Sequence, residues 1–246
     1  NPSDAQNVTR LGSRGIRTSM RSGPELGVSA DTRHLIGIAR IRIAPVVIRP
    51  SSASLLGEIE ETERMLAVLH SGRPPAAIEG LAEARALYRS FRIDPTRARP
   101  SSEALLRRVL QGKPMPRLLN AIDLCNLLSL RFLLPLGLYD EDKIEGGASL
   151  RRGLPGESYP GIRKDSVDLE GKPVLADSIG PFGNPTSDSL RTSVTRATSR
   201  LWLVIFAPAS HGESRLGESA AMARKELLEH LPAQAGQAET DLQLLT

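Results

Sequence analysis

Residues 120–147, NAIDLCNLLSLRFLLPLGLYDEDKIEGG, constrain the fold more than any other stretch of the chain. The run is apolar for most of its length, but Arg131 and Pro135 interrupt it. It therefore falls short of the roughly 18–20 uninterrupted apolar residues that a membrane helix needs. The spacing predicts a buried helix over 118–132, a strand at LGLYD, and a charged turn, Asp140-Glu141-Asp142-Lys143, that runs into Gly146 and Gly147. One residue sits awkwardly in that picture. With Leu124, Leu127, Leu128 and Leu130 facing inward, a carboxamide at Asn126 costs about 1–3 kcal/mol if buried without a partner. Either Asn126 points into a pocket and donates to a substrate carbonyl or hydroxyl, or it ties the helix to a neighbouring loop.

The rest of the chain fits around this helix. Aromatic residues are only 3% of the sequence, so a core must be built from Leu, Ile, Val and Ala. The run HLIGIARIRIAPVVIRP reads as a buried strand stopped by Pro50. Three helical blocks follow. The first is SASLLGEIEETERMLAVLH, capped by Ser51 or Ser52; the second is AAIEGLAEARALYRSF; the third is SSEALLRRVLQG, capped by Ser101 or Ser102 and ended by Gly112. Beyond Pro135 come short β-rich runs, ASLRRG, VDLEGKPVLADS and SVTRATSRLWLVIFAP, and then an amphipathic helix from Glu213 that ends before Pro232. Helices, then strands, then a helix predict an α+β fold with a mostly antiparallel sheet and flanking helices. We expect residues 1–33, rich in Gly, Ser, Asn and Arg, to be a disordered or non-native leader. Residues 34–232 are expected as one domain and 233–246 as a flexible tail. No signal-peptide pattern is present, and the lone Cys125 is compatible with a reducing, cytoplasmic setting.

Read together, DPTRARPSSEALLRRVLQGKPMPRLLNAIDLCNLLSLRFLLPLGLYDEDKIEGGASLRRG resembles the B3/B4 domain of the phenylalanyl-tRNA synthetase β subunit, and in particular its free-standing B3/B4-like relatives. The residues that carry the likeness are Arg99-Pro100-Ser101-Ser102, Leu105, Asp123, Asn126, Leu136-Gly137-Leu138-Tyr139-Asp140, Lys143-Ile144 and Gly146, with a weaker echo over 187–205. The resemblance implies a tRNA-binding module that hydrolyses mischarged aminoacyl-tRNA in trans, without a cofactor. Motifs for charging tRNA are absent, so the chain is not a complete ligase. The alternative is a non-catalytic RNA- or small-molecule-binding module that kept the fold and lost the editing residues. A Thr-Asn pair of the family appears here as Cys125-Asn126. A family histidine falls at Gly137, and a family glutamate falls around Asp188, where no glutamate stands. The glycine-bearing segment survives as SIGPFGNP, with Gly180 and Gly183.

On this reading Asn126, Thr192 and Thr195 are the catalytic candidates, and Cys125, Gly137, Gly180, Gly183 and Asp188 the substrate-binding ones. Backbone N–H groups at Gly180 and Gly183 would serve a developing oxyanion. If residues 187–199 form a strand, threonine hydroxyls line a cleft; the alternative is threonine on an exposed β face. No histidine is near Cys125 in sequence, so a small buried thiol is favoured over a nucleophile. The Asp140, Asp142 and Glu145 cluster lacks the full calcium-loop pattern and reads as a solvated turn, so no metal is expected. Lysine occurs at only five positions and the basic residues are mainly arginine. Arg107, Arg108, Arg151, Arg152 and Arg196 are candidate phosphate contacts for tRNA or aminoacyl-tRNA, or else solvated faces. Neither membrane nor DNA is expected as a partner.

Overall fold

The computed structural model describes residues 23–233 and 237–246. In chain order its elements are β1 (Leu26–Val28), β2 (Ile36–Ala44), α1 (Ala53–Leu69), α2 (Glu79–Ser90), α3 (Ser101–Leu110), α4 (Asn120–Phe132) and β3 (Leu136–Asp140). There follow β4 (Ala148–Arg152), β5 (Ser158–Gly161), β6 (Lys164–Asp168), β7 (Pro173–Ala176), β8 (Pro181–Gly183), β9 (Leu201–Pro208), α5 (Glu213–His230) and β10 (Glu239–Leu245). The architecture is α+β with mostly antiparallel pairing, as the sequence leads one to expect.

One antiparallel sheet, in the order β10-β2-β9-β3, divides the molecule. Strands β2 and β9 are buried along their whole length. That is why β9 reads as a continuous apolar run, whereas β2 is apolar apart from Arg40 and Arg42, whose charges are paired within the second layer. On one face Ala39, Ile41, Ile43, Leu201, Leu203 and Ile205 pack against Leu55 and Ile59 of α1, Leu106 of α3, Leu124 and Leu128 of α4, and Leu216 and Leu227 of α5. On the other, Ile36, Ile38, Trp202, Val204 and Phe206 meet Leu26, Leu150, Leu175 and Phe182 of a second sheet, β1-β4-β7-β8, together with Leu87 and Tyr88 of α2. Two arginines of β2 lie in this second layer. Arg42 is held bidentately by Glu141, which also accepts from Trp202 Nε1 at 3.1 Å. Arg40 stacks 5.0 Å over Trp202 and pairs with Asp241.

Several elements differ from expectation. Ser52 caps α1 by accepting from Leu55 N, whereas the Ser51 hydroxyl donates to Asp123. Neither Ser101 nor Ser102 caps α3: its N-cap is Pro100, and both hydroxyls are buried without a partner. Helix α4 begins at Asn120 rather than 118. Residues 187–199 are not a strand, because Thr195 Oγ1 accepts from Ala197 N and Thr198 Oγ1 accepts from Thr195 N. Such side-chain bonds offer the backbone an alternative to a ladder. Two segments left outside the domain by the sequence belong to its sheets. Leu26–Val28, within the expected leader, pairs in parallel with β4, and Glu239–Leu245, within the expected flexible tail, pairs along β2. Residues 1–22 of the leader lie outside the described residues. No helix among the described residues is long and apolar enough to cross a membrane.

Candidate functional site

A cleft of about 400 Å³ opens between α3, α4, strand β3 and the loop that follows β8. Ile122, Cys125 and Asn126 form one wall, because positions three and four apart share a helix face. Leu136 and Leu138 of the edge strand β3 form the back. Ser101 and Leu105 of α3, Asp188, Ser193 and Val194 of the loop, and Ile162 and Arg163 of the β5–β6 turn close the rest. The lining is mostly apolar with a few polar groups, which is the usual constitution of a small-molecule site.

Helix α4 carries four polar residues at spacings of three: Asn120, Asp123, Asn126 and Ser129. Three of them are spent inside the protein. Asn120 donates to Val47 O at 3.0 Å and accepts from Arg49 N at 3.1 Å. Asp123 accepts from Leu118 N at 2.8 Å and from the Ser51 hydroxyl at 2.6 Å. Ser129 donates to Leu134 O at 2.8 Å. The carboxamide of Asn126 makes no hydrogen bond among the described residues and lines the cleft. Asn126 is thus a partly exposed side chain on the cleft wall, with no bond tying it to a neighbouring loop among the described residues.

Asp188 faces the same space. Its Oδ1 accepts from the Tyr139 hydroxyl at 2.7 Å. Removal from water pushes its carboxyl up to about 7, outweighing the Tyr139 hydroxyl and the backbone N–H groups of Leu138 and Asn184, all of which favour the charged form. As β3 is a sheet edge, the Leu138 and Asp140 N–H groups point away from its partner β9, and the loop covers them: Thr192 O accepts from Asp140 N at 2.9 Å. All three tyrosines of the chain spend their hydroxyls on the segment that presents Asp188. Tyr88 bonds Thr186 Oγ1 at 2.5 Å, and Tyr159 donates to Ser187 O at 2.6 Å while accepting from Asn184 Nδ2 at 3.0 Å. Desolvation, reinforced by the Asp188 charge, pushes the tyrosine hydroxyls 139 and 159 and the buried Cys125 thiol upward. A thiol so placed is no nucleophile.

Other candidates lie elsewhere. Gly137 and Gly183 flank the Tyr139 phenol, and a β-carbon at either would overlap its hydroxyl. Their function is to let the ring reach Asp188. Gly180 donates its N–H to Asp177 Oδ1 at 3.1 Å, so it supplies no free oxyanion donor. Thr192 is fully buried, with its hydroxyl directed at Phe182 O, and Thr195 is exposed in the loop; neither lines the cleft. Arg151 pairs with Glu157, and Arg152 stacks 4.8 Å over Phe91 while donating to Gly171 O, so both have internal uses. Arg108 donates to Pro114 O at 2.6 Å. Arg107 and Arg196 make no ion pair among the described residues. Nor does Arg163, which borders the cleft and which sequence reasoning missed. Arg191, also missed, locks the loop by pairing with Asp177 at 2.9 Å. The sequence analysis placed Asp188 near the site by likeness alone and did not join it to Tyr139, whose hydroxyl reaches it across 49 residues.

A family model described as the B3/4 domain matches residues 83–222. That span contains α3, α4, β3, the Asp188 loop and the whole lining of the cleft. Among solved structures, the chain is similar to an N-terminal fragment of the phenylalanyl-tRNA synthetase β subunit from Pyrococcus horikoshii. The match has a TM-score of 0.46 at 14% identity, over 85% of this chain and 50% of that one, so the chain spans half the length of that fragment. No curated protein sequence matches the chain.

Proposed function

Because the chain belongs to the B3/4 domain family, we propose that its cleft takes the aminoacyl end of a tRNA and hydrolyses the ester of a mischarged amino acid in trans. One observation carries this reading: an unpartnered carboxamide, Asn126, shares a largely apolar cleft with a carboxyl, Asp188, poised near neutrality. The apolar residues Leu105, Ile122, Leu136, Leu138 and Val194 suit the substrate's side chain. Asn126 Nδ2 donates to the ester carbonyl and to the oxyanion that develops from it. Asp188, ionised, takes a proton from the attacking water, whose oxygen bonds the carbonyl carbon. It returns that proton to the departing ribose oxygen as the C–O ester bond breaks, which leaves free amino acid and a tRNA with its ribose hydroxyl restored. Tyr139 holds the carboxyl in place throughout. Of the candidate RNA contacts, Arg107 and Arg196 remain in the reading, joined by Arg163 at the mouth.

The test is deacylation of a panel of mischarged tRNAs by wild type, Asn126→Ala and Asp188→Asn. Loss of hydrolysis in both variants with tRNA binding retained is the expected result; turnover that survives in both removes the site. A second reading, binding without hydrolysis, draws on one observation: the family's histidine position is Gly137, where the Tyr139 phenol fills the space. Binding of aminoacyl-tRNA with no turnover of any substrate would select it.

A further inference from the structure

Five residues beyond Asn126, in the last turn of α4, Arg131 enters a cluster whose residues are not part of the cleft lining. Arg131 of α4 lies between Glu58 of α1 and Glu226 of α5, at 2.8 Å from Glu58 Oε2 and 3.1 Å from Glu226 Oε1. The guanidinium holds one oxygen of each carboxylate. The other two, Glu58 Oε1 and Glu226 Oε2, face His230 Nε2 at 3.0 and 3.5 Å. Glu229, the neighbour of His230 on α5, brings its carboxylate to the same point: ligand atoms of Glu58, Glu229 and His230 all lie within 4.8 Å of one another.

Three features separate this group from an ordinary surface cluster. His230 is more than nine-tenths buried, yet its Nε2 has no hydrogen-bond partner despite two carboxylate oxygens within 3.5 Å. The opposing Glu226 Oε2 is likewise buried and unpartnered. An imidazole nitrogen and carboxylate oxygens that close, but not aligned to share a proton, have the spacing of ligands around a common ion. Two ligands at about 2.0–2.1 Å from a tetrahedral ion stand roughly 3.3 Å apart. The charge agrees: three carboxylates meet one guanidinium, and with a neutral imidazole the cluster carries two excess negative charges in a partly buried place.

We propose that Glu58, Glu229 and His230 bind a divalent transition-metal ion of the zinc class at the α1–α5 junction, with Glu226 bordering the same position. A mixed imidazole and carboxylate donor set favours such an ion over calcium or magnesium, which take oxygen ligands alone. Arg131 acts as an outer partner that fixes the orientation of Glu58, as hydrogen-bonded outer groups do for ligating carboxylates. Bridging two helices that are distant in sequence, the ion is a clip on the helical layer. The inference is independent of what the cleft does.

The experiment uses the untagged full chain stripped with chelator. Zinc titration by calorimetry is expected to give one ion per chain, with a melting temperature that rises on zinc addition and a cobalt form with visible absorption. Glu229 is exposed and makes no hydrogen bond or ion pair among the described residues, so Glu229→Gln should fold and melt like metal-free wild type. It should still bind zinc at least about tenfold more weakly, since even loss of an outer partner costs 10–100-fold. His230→Gln should do the same. Absence of stoichiometric binding in wild type overturns the proposal. So does wild-type affinity in Glu229→Gln, which would place the ion elsewhere or leave only an ionic network around Arg131.

Discussion

Asp188→Asn tests the electrostatics of the cleft apart from its chemistry. The carboxyl has an ordinary value of 3.8 and is pushed up to about 7 in the folded protein. Its folded value is raised, so between about pH 4 and 7 the native state holds a proton that the unfolded chain has released. Stability from this group is therefore full at low pH and is lost as pH rises through 7. Wild type therefore loses roughly 2–3 kcal/mol from Asp188 between pH 5 and pH 8.5, nearly all of it below pH 7.5. An asparagine cannot accept from every donor around it, and that lost hydrogen bond costs about 1–3 kcal/mol. This cost is nearly the same at both pH values and cancels in the comparison. Urea unfolding of wild type and variant at pH 5 and 8.5 gives two stability differences. The variant is expected to be more favourable by about 2–3 kcal/mol at the higher pH, relative to its standing at pH 5. Parallel pH profiles would mean that Asp188 is already charged at pH 5 in the native state, and the general-base assignment would go with it.

Asn126→Ala should leave unfolding free energy within about 0.5 kcal/mol of wild type while lowering deacylation by roughly 10²–10³-fold. Asn120→Ala should do the reverse, destabilising by about 1–3 kcal/mol because Val47 O and Arg49 N lose their partner. Tyr139→Phe removes a hydrogen bond that lowers the Asp188 value, so the acid limb of the pH–rate profile should move upward; an unmoved limb would detach Tyr139 from the reaction. Gly137→Ala forces the phenol off Asp188 and should cost about 1–3 kcal/mol by overpacking, read as a lower denaturation midpoint. In salt titrations of tRNA affinity, Arg163→Ala should reduce the logarithmic slope by about 0.7–0.9, whereas Arg152→Ala, a residue used internally, should leave it unchanged.

The helices were legible from their apolar spacing, and the central strands because burial on both faces leaves a β-branched, largely apolar run, as at β9 and, around Arg40 and Arg42, at β2. Strand β10 was not. ETDLQLL is half-exposed, and it becomes a strand because β2 offers it an open edge, a tertiary fact with little local trace. Residues 187–199 failed in the opposite direction. Their threonines have strand propensity, but Thr195 and Thr198 bond the backbone locally and hold it as a loop.

The cleft divides the same way. Asn126 could be singled out because a polar residue among leucines needs a reason, and in the fold it borders the cleft without an internal partner. Asp188 could be placed near the site only by likeness, since its raised value comes from burial by groups remote in sequence. The four polar positions of α4 make the limit concrete. Asn120, Asp123, Asn126 and Ser129 have the same spacing and similar chemistry, but three meet main chain that sequence does not locate, at Val47, Arg49, Leu118 and Leu134. Only a structure can say which of the four is left over. Asn126 is the one left over, and because it is partly exposed at the cleft wall rather than sealed in the core, its carboxamide is free to meet a ligand without a standing burial loss.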